Sequence, residues 1–231
     1  MFDEKKIISN YLRSLKSNNK KVNLFLNKLS EDAIERLGIS KNSKYSILEI
    51  LAKNNVFIKT LKNKNFDSNV YQTFFSNKPN PNGNHLAIHD NKLSNIKSEE
   101  FDCCISFFPA LTKNDITIIL KSLNRTLKKE GKFLFLFFSP ESCSKLKSIF
   151  NEIFESDAKN MFMPSPDILL LGNLANSMGY KNVVVDRSNY FITNKSPEDI
   201  WDFIRNLGIS NYLQNRNKKT ISRLKYKKLC K

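Results

Sequence analysis

From about residue 45 onward, short apolar runs alternate with amphipathic segments of helical length. The run Lys132–Phe138 is continuously apolar after its first residue, as expected of a strand with helices on both faces of its sheet. Apolar residues recur at helical spacing before it, at Ile116, Ile119, Leu120, Leu123 and Leu127. The predicted strands are Tyr45–Ile50, Val70–Phe75, His85–Ile88, Phe101–Phe107 and Lys132–Phe138. This alternation predicts an α/β fold, Rossmann-like, with a doubly wound and mainly parallel sheet.

Capping residues mark the ends of the predicted helices. One helix follows the first strand over about Leu51–Leu61, and Asn114 can cap a later one. Glycine is the preferred residue just after a helix. Gly131, Gly179 and Gly208 are therefore predicted to end three helices, the last two of which begin at "SPD" and "SPED".

Two apolar segments near the C-terminus, Val183–Asp186 and Tyr190–Thr193, are separated by the three residues "RSN". This short connection predicts an antiparallel hairpin at the end of the sheet. These patterns divide the chain into three parts. They are a helical N-terminal extension over residues 1–40, the main domain over 41–195, and a C-terminal helix with a basic tail over 196–231.

Parallel α/β sheets bind ligands beyond the carboxyl ends of their strands. In this sequence those ends place candidate residues near Glu49, Phe74–Phe75, His89–Asp90 and Phe107–Pro109. We therefore expect any functional site to lie at this edge of the sheet.

The chain is strongly basic, and two readings of that charge remain open. It has 38 Lys and Arg against 22 Asp and Glu, a net charge of +16 over 231 residues. Such charge suits nucleic acid, an anionic membrane or an acidic partner. Lys and Asn are abundant throughout, however, which favours a general compositional bias and makes nucleic acid the weaker expectation.

Metal sites, disulfides and membrane spans are not expected. The four cysteines lack metal-ligand spacing, and Cys103 and Cys104 lie inside an apolar run, so a reducing compartment is predicted. His85 and His89 have no third ligand nearby. "MFDEKK" has no apolar signal core, and Phe133–Phe138 is far shorter than the roughly 20 residues of a membrane span. The predicted location is cytoplasmic, with peripheral attachment to the inner face of the membrane as an alternative.

Six quoted blocks then point to a family. Three of them, "FDCCISF" followed by "ND", "LKKEGKFLFLFF" and "LGNLANSMGYKNVVVD", resemble in order the late segments of class I S-adenosylmethionine-dependent methyltransferases. The blocks "MFDEKKIISNYLRSL" and "FLNKLSEDAIERL" resemble the start and first helix of a narrower family within them. More narrowly, the chain resembles bacterial relatives of the mitochondrial NADH dehydrogenase (complex I) assembly factor five. The most specific block is "FIRNLGISNYLQNR", which matches that family at Arg205, Gly208, Ser210, Asn211 and Arg216.

The resemblance also locates the expected cofactor site. The acid after the first strand matches Glu49, and the three glycines of the family loop fall on Leu51, Lys53 and Asn55. Those glycines normally let the backbone approach the cofactor without a Cβ.

Other cofactor contacts are partly replaced. The acid that holds the ribose corresponds to Phe74 or Phe75, Asp90 could still receive the adenine amino group, and Phe107 lies at the end of the fourth strand. S-adenosylmethionine is therefore a doubtful ligand, and the catalytic residues stay unassigned.

Three functions are consistent with these features. The first is a methyltransferase-like accessory or assembly factor for respiratory NADH dehydrogenase, whose partner would be a peripheral-arm subunit bound through Arg205, Gly208, Ser210, Asn211 and Arg216. The second is an active methyltransferase, or an arginine hydroxylase, acting on a protein or a small acyl substrate. The third is a basic RNA-binding protein, whose affinity should fall steeply with salt.

Overall fold

The computed structural model describes residues 2–53, 55–74, 84–87, 93–94, 96–109, 113–154, 165–193, 196–216 and 222–229. Its first two elements are α1 (Glu4–Leu15) and α2 (Lys20–Leu37). Asp3 caps α1 by accepting a hydrogen bond from the Lys6 backbone, and Asn19 caps α2 in the same way. The N-terminal extension, predicted to be helical, thus consists of two helices.

Five strands form one parallel sheet. They are β1 (Tyr45–Glu49), β2 (Ser68–Phe74), β3 (Asn84–Ala87), β4 (Phe101–Phe107) and β5 (Leu127–Leu136). Their spatial order is β3-β2-β1-β4-β5, and every pair of neighbours is parallel. The predicted α/β fold with a parallel sheet is confirmed.

Helices cover both faces of this sheet. After α3 (Val56–Asn63) and α4 (Lys113–Thr126), the later helices are α5 (Ser144–Phe154), α6 (Ile168–Ser177), α7 (Pro197–Asn206) and α8 (Arg223–Leu229). One apolar cluster joins a sheet face to α2, α3 and α7, and a second joins the other face to α1, α4 and α6. Because side chains alternate along a strand, Ile47 belongs to the first cluster and Leu48 to the second.

The predicted end of α4 is wrong. The helix ends at Thr126, and Gly131 lies inside β5 instead of following the helix. Backbone N–H groups of Glu99 and Glu100 donate to the carbonyls of Arg125 and Thr126, and Leu127 then pairs with Phe101. The last carbonyls of α4 are thus satisfied by the chain leading into β4, so no glycine cap is needed.

The predicted C-terminal hairpin is also not found. Both of its segments are described, and neither is a strand; Val184 is 82% exposed and Phe191 is 95% exposed. Side-chain bonds to α2 hold this stretch instead. Arg36 donates to Asp186 at 2.5 Å and to Ser188 at 2.8 Å, and the Tyr190 hydroxyl donates to Asp32.

The register of the sheet sets up the site. Glu49, the last residue of β1, is level with Gln72 on β2 and with Ile105 on β4. The chain then turns away at Ile50, whose N–H donates to the Ile105 carbonyl at 2.8 Å. The candidate site therefore lies at the carboxyl edge of the central strand, as the sequence predicts.

Candidate functional site

Glu49 is a buried acid at the carboxyl end of β1, with only 1% of its surface exposed. Its Oε2 accepts a hydrogen bond from the Gln72 amide at 2.7 Å, whereas Oε1 has no hydrogen bond of good geometry within the described residues. Burial raises the pKa of Glu49 to about 7, although Gln72 and the nearby Lys53 favour the charged form. This carboxyl group is suited to a cationic neighbour.

The loop after β1 contains no glycine, yet two of its residues have the positive φ that is typical of glycine. Leu51 has φ 52° and Asn55 has φ 54°, both in the left-handed region that L-residues other than asparagine rarely adopt. Thr73 on β2 stabilises this turn, since its hydroxyl accepts from the Leu51 N–H at 2.9 Å and its carbonyl accepts from Ala52 at 3.2 Å. Two of the three positions that correspond to family glycines thus have a positive φ, and each of them carries a side chain.

Those side chains point into the protein. Leu51 is 6% exposed and Phe74 is 4% exposed, and both belong to one apolar cluster with Tyr11 of α1. The Tyr11 hydroxyl donates to the Ala52 carbonyl at 3.0 Å, which ties α1 to the loop. Apolar side chains and an N-terminal helix therefore occupy the edge of the sheet where a ligand is expected.

Lys53 is a buried amine beside the Glu49 carboxyl group and is 5% exposed. Its Nζ donates to the Leu207 carbonyl at 3.3 Å and lies 5.2 Å from the centre of the Tyr11 ring. Burial lowers the pKa of Lys53 to about 8, and the Glu49 charge partly opposes this. Burial thus brings the pKa of the acid and the pKa of the amine close together.

The residues at the family's cofactor positions differ in how well they suit S-adenosylmethionine. Glu49 is suited to the ammonium group of S-adenosylmethionine, and Oε1 has the capacity to accept it. Leu51 and Lys53 do not suit a close approach of cofactor to backbone, since each bears a buried side chain. Phe74 offers no acceptor for ribose hydroxyls.

The other predicted cofactor residues are placed differently. Phe107 is 2% exposed and belongs to the apolar cluster on the sheet face opposite Leu51, where its ring meets Phe57 edge to face at 6.0 Å. Its part in a cofactor site stays a prediction. Asp90 and Phe75 lie outside the described residues.

Four of the five predicted partner residues contact α1 or its capping residue, Asp3. The carbonyl of Arg205 accepts a hydrogen bond from Arg13 Nε at 3.3 Å, and Ser210 Oγ accepts another from the Arg13 guanidinium at 3.1 Å. The Ser210 carbonyl accepts from the Asn10 amide at 2.8 Å. Arg216 pairs with Asp3 at 2.8 Å. Several polar groups of this segment are thus already bonded within the chain. Its role in binding a partner stays a prediction.

Gly208 and Asn211 shape the same segment. Gly208 has φ 78°, and a Cβ there would lie 2.8 Å from the Cβ of Ser14, so glycine permits both the turn and the close approach of α1. Asn211 Oδ1 accepts from the Leu213 N–H at 2.9 Å, which closes a local turn.

Two site residues, Tyr11 and Gln72, are missed by the sequence reasoning. Gln72 could have been suspected as the one amide within the predicted strand Val70–Phe75. Tyr11 gives no comparable signal, because only the packing of α1 brings it to the loop. Within the described residues, no group of three His, Cys, Asp or Glu side chains could hold a metal ion, and no helix there is long and apolar enough to span a membrane.

Comparison with known proteins supports the fold assignment. No family model matches the chain. It is 26% identical over 194 residues to the Rickettsia prowazekii protein named "Putative methyltransferase RP459", covering 78% of this chain and 82% of that protein.

Among solved structures, an S-adenosylmethionine-dependent methyltransferase from Archaeoglobus fulgidus aligns with a TM-score of 0.51 and 11% identity, over 81% of this chain and 90% of that one. A Galdieria sulphuraria protein named "putative sarcosine dimethylglycine methyltransferase" aligns with a TM-score of 0.45 and 12% identity. That alignment covers 68% of this chain and 61% of the other, less than two thirds of its length. The Archaeoglobus alignment shows that the fold is methyltransferase-like.

Proposed function

We propose that this protein is a methyltransferase-like accessory factor, acting in the assembly of respiratory NADH dehydrogenase by binding a protein partner. In this proposal it does not bind S-adenosylmethionine in the usual pose. The proposal rests on two features. The fold is methyltransferase-like, and the protein's own side chains occupy the edge of the sheet where a cofactor is expected.

The observation that carries the proposal is the burial of Lys53 beside Glu49. Lys53 stands where the family has its second loop glycine, and its ammonium supplies a positive charge near the acid that would otherwise receive the ammonium of the cofactor. The two groups are not within ion-pair distance, yet each favours the charged form of the other. The chain therefore provides internally part of what the cofactor would bring.

The side chains of Leu51, Phe74 and Tyr11 also support the proposal. Leu51 and Phe74 pack together with Tyr11 in one cluster, and the Tyr11 hydroxyl holds the Ala52 carbonyl. Opening a space for an adenosyl group would expose this apolar surface to water, and the free-energy cost would be roughly 25 cal/mol per Å² exposed.

The partner is proposed from the resemblance at Arg205, Gly208, Ser210, Asn211 and Arg216. It would be a subunit of the peripheral arm of NADH dehydrogenase, met in the cytoplasm or at the inner face of the membrane. Arg205 is exposed, while Ser210, Asn211 and Arg216 are partly exposed, so this segment is accessible to a second protein.

Affinity capture tests the proposal. The full chain, tagged and purified, is incubated with the detergent-solubilised NADH dehydrogenase subunits of its own cell, and retained proteins are identified by mass spectrometry. We expect a peripheral-arm subunit to be retained, and to be lost with Arg205→Gln but kept with Lys227→Gln on α8. Retention of no such subunit by the unmodified chain would contradict the assembly function.

A second candidate function is methyl transfer, or arginine hydroxylation, by a modified site. Three observations favour it: the left-handed backbone at Leu51 and Asn55, the available Oε1 of Glu49, and the name of the Rickettsia relative. This function requires that S-adenosylmethionine binds, whereas the accessory function does not require it. A measurement of cofactor affinity therefore distinguishes the two functions.

A further inference from the structure

Four cationic side chains converge where α1 meets α7 and the segment after it. They are Lys6 and Arg13 of α1, Arg205 of α7, and Arg216. Burial and the charges of Arg13, Arg216 and Arg205 lower the pKa of Lys6, and burial and Arg205 lower the pKa of Arg13. We call these four residues the basic cluster.

One carboxylate serves this cluster. Asp3 Oδ2 pairs with Arg216 at 2.8 Å, and its Oδ1 accepts from the Lys6 backbone as the cap of α1. Within the described residues, Lys6, Arg13 and Arg205 have no acid within 4.0 Å of their charged groups. The cluster therefore has three cations without a direct counter-ion.

The Arg13 guanidinium is held in place for an additional ligand. Nε donates to the Arg205 carbonyl at 3.3 Å, and one terminal nitrogen donates to Asn10 Oδ1 at 3.0 Å and to Ser210 Oγ at 3.1 Å. Its other terminal nitrogen donates to no described residue. A guanidinium fixed by neutral acceptors keeps its full charge and loses little entropy on binding an anion.

The cluster is accessible. Lys6, Arg13 and Arg216 are partly exposed and Arg205 is exposed. All four border a large open cavity of about 2530 Å³, together with Ser210 and Asn211. An extended acidic chain could reach them without displacing an element of the fold.

We propose that Lys6, Arg13 and Arg205 bind a carboxylate of an acidic segment on a partner protein. The pairing of Arg216 with Asp3 favours a carboxylate, because the cluster already holds one in that manner. The inference rests on the proposed function for the class of partner, a protein, and adds two α1 residues and the chemistry of recognition.

Peptide binding tests the inference directly. Fluorescently labelled hexaglutamate is titrated with the full chain at low salt, and fluorescence anisotropy gives the dissociation constant. We expect the double variant Lys6→Gln, Arg205→Gln to weaken binding about tenfold or more, as for two lost charge-assisted contacts. The control Lys227→Gln, Lys228→Gln on exposed α8 removes the same charge and should change the constant less than twofold.

A third variant tests the role of Asp3. Asp3→Asn keeps a side chain that caps α1 equally well, so the fold is retained. It frees Arg216 and removes a competing carboxylate, and hexaglutamate should therefore bind several times more tightly. Circular dichroism melts check that all the variants fold.

Other outcomes overturn the inference. Equal weakening by both double variants would mean that only net charge matters. A single-stranded oligonucleotide that depends on Lys6 and Arg205, with no hexaglutamate binding, would assign the cluster to nucleic acid. Competition by millimolar inorganic phosphate with no peptide binding would assign it to a free anion. A failed peptide titration removes this site even if affinity capture succeeds, whereas failed capture leaves a positive titration standing.

Discussion

At the residue scale, the main feature is a buried acid and a buried amine that titrate close together. Glu49 has its pKa raised to about 7, and Lys53 has its pKa lowered to about 8, mainly by burial in each case. Burial of both groups under Tyr11 explains why the charged state of each depends on the other.

This pair predicts how stability depends on pH. Between about pH 4.5 and 7 the folded state holds the Glu49 proton more tightly than the unfolded state, so the free energy of unfolding falls as pH rises. Between about pH 8 and 10.5 the unfolded state holds the Lys53 proton more tightly, so the free energy rises again. The contribution of the pair is lowest near pH 7 to 8.

Urea unfolding of the wild type, Glu49→Gln and Lys53→Met at pH 5, 7.5 and 10 checks this dependence. Glu49→Gln should remove the fall on the acid side, and Lys53→Met the rise on the alkaline side, each by about 1 to 3 kcal/mol. Identical pH dependence in the three proteins would contradict the placement of the pair.

Gly208 carries a second prediction at this scale. Gly208→Ala meets both a positive φ and the Cβ of Ser14 at 2.8 Å, so it should lower the free energy of unfolding by about 2 to 4 kcal/mol. The matched control is Gly179→Ala, where φ is 88° but nothing lies within 4 Å, and the expected loss is about 1 kcal/mol. Urea denaturation measures both; equal losses would show that α1 does not pack against Gly208.

At the scale of elements, sequence patterns predict what local rules determine. β4 begins and ends where its apolar run does, at Phe101 and Phe107, because both faces of a central strand are covered. α7 starts after Ser196, whose side chain accepts from the Asp199 N–H, and is followed by Gly208 in the left-handed region. Hydrophobic pattern and caps suffice in these cases.

Long-range side-chain bonds account for what the sequence reasoning missed. The segment of the predicted hairpin has suitable strand residues, but Arg36 and Asp32, about 150 residues earlier, bind it to α2. Tyr11 likewise reaches the site across 41 positions. The acid at Glu49 and the replaced loop glycines could be identified from the sequence, whereas the filling of the loop by α1 could not.

The attachment of residues 183–193 to α2 gives a third prediction. Arg36→Ala removes the bonds to Asp186 and Ser188, and amide hydrogen exchange over this segment should accelerate several-fold. The melting temperature should change little, because the ion pair is solvent-exposed at both ends. Lys64→Ala, which removes a comparable exposed pair with Glu31, is the control and should leave this segment unchanged. Unchanged exchange in Arg36→Ala would mean that other contacts hold the segment.

At the scale of the whole molecule, a methyltransferase-like sheet is combined with an N-terminal helix that contacts both candidate sites. α1 places Tyr11 on the loop after β1 and places Lys6 and Arg13 beside the segment after α7. Four of the chain's 38 Lys and Arg residues, Lys6, Arg13, Arg205 and Arg216, thus meet around Asp3 at this junction. α1 therefore links the loop after β1 to the segment after α7, so one helix contributes to both candidate sites.

The central claim is that the protein's own side chains take the place of the cofactor. Isothermal titration calorimetry of the unmodified full chain with S-adenosylmethionine, raised to millimolar concentration, tests it most directly. Glu49→Gln serves as the control, since any binding in the usual pose depends on that acid. We predict no saturable heat for either protein. Saturable heat with one site per chain, lost in Glu49→Gln, would contradict the account and establish a working cofactor site.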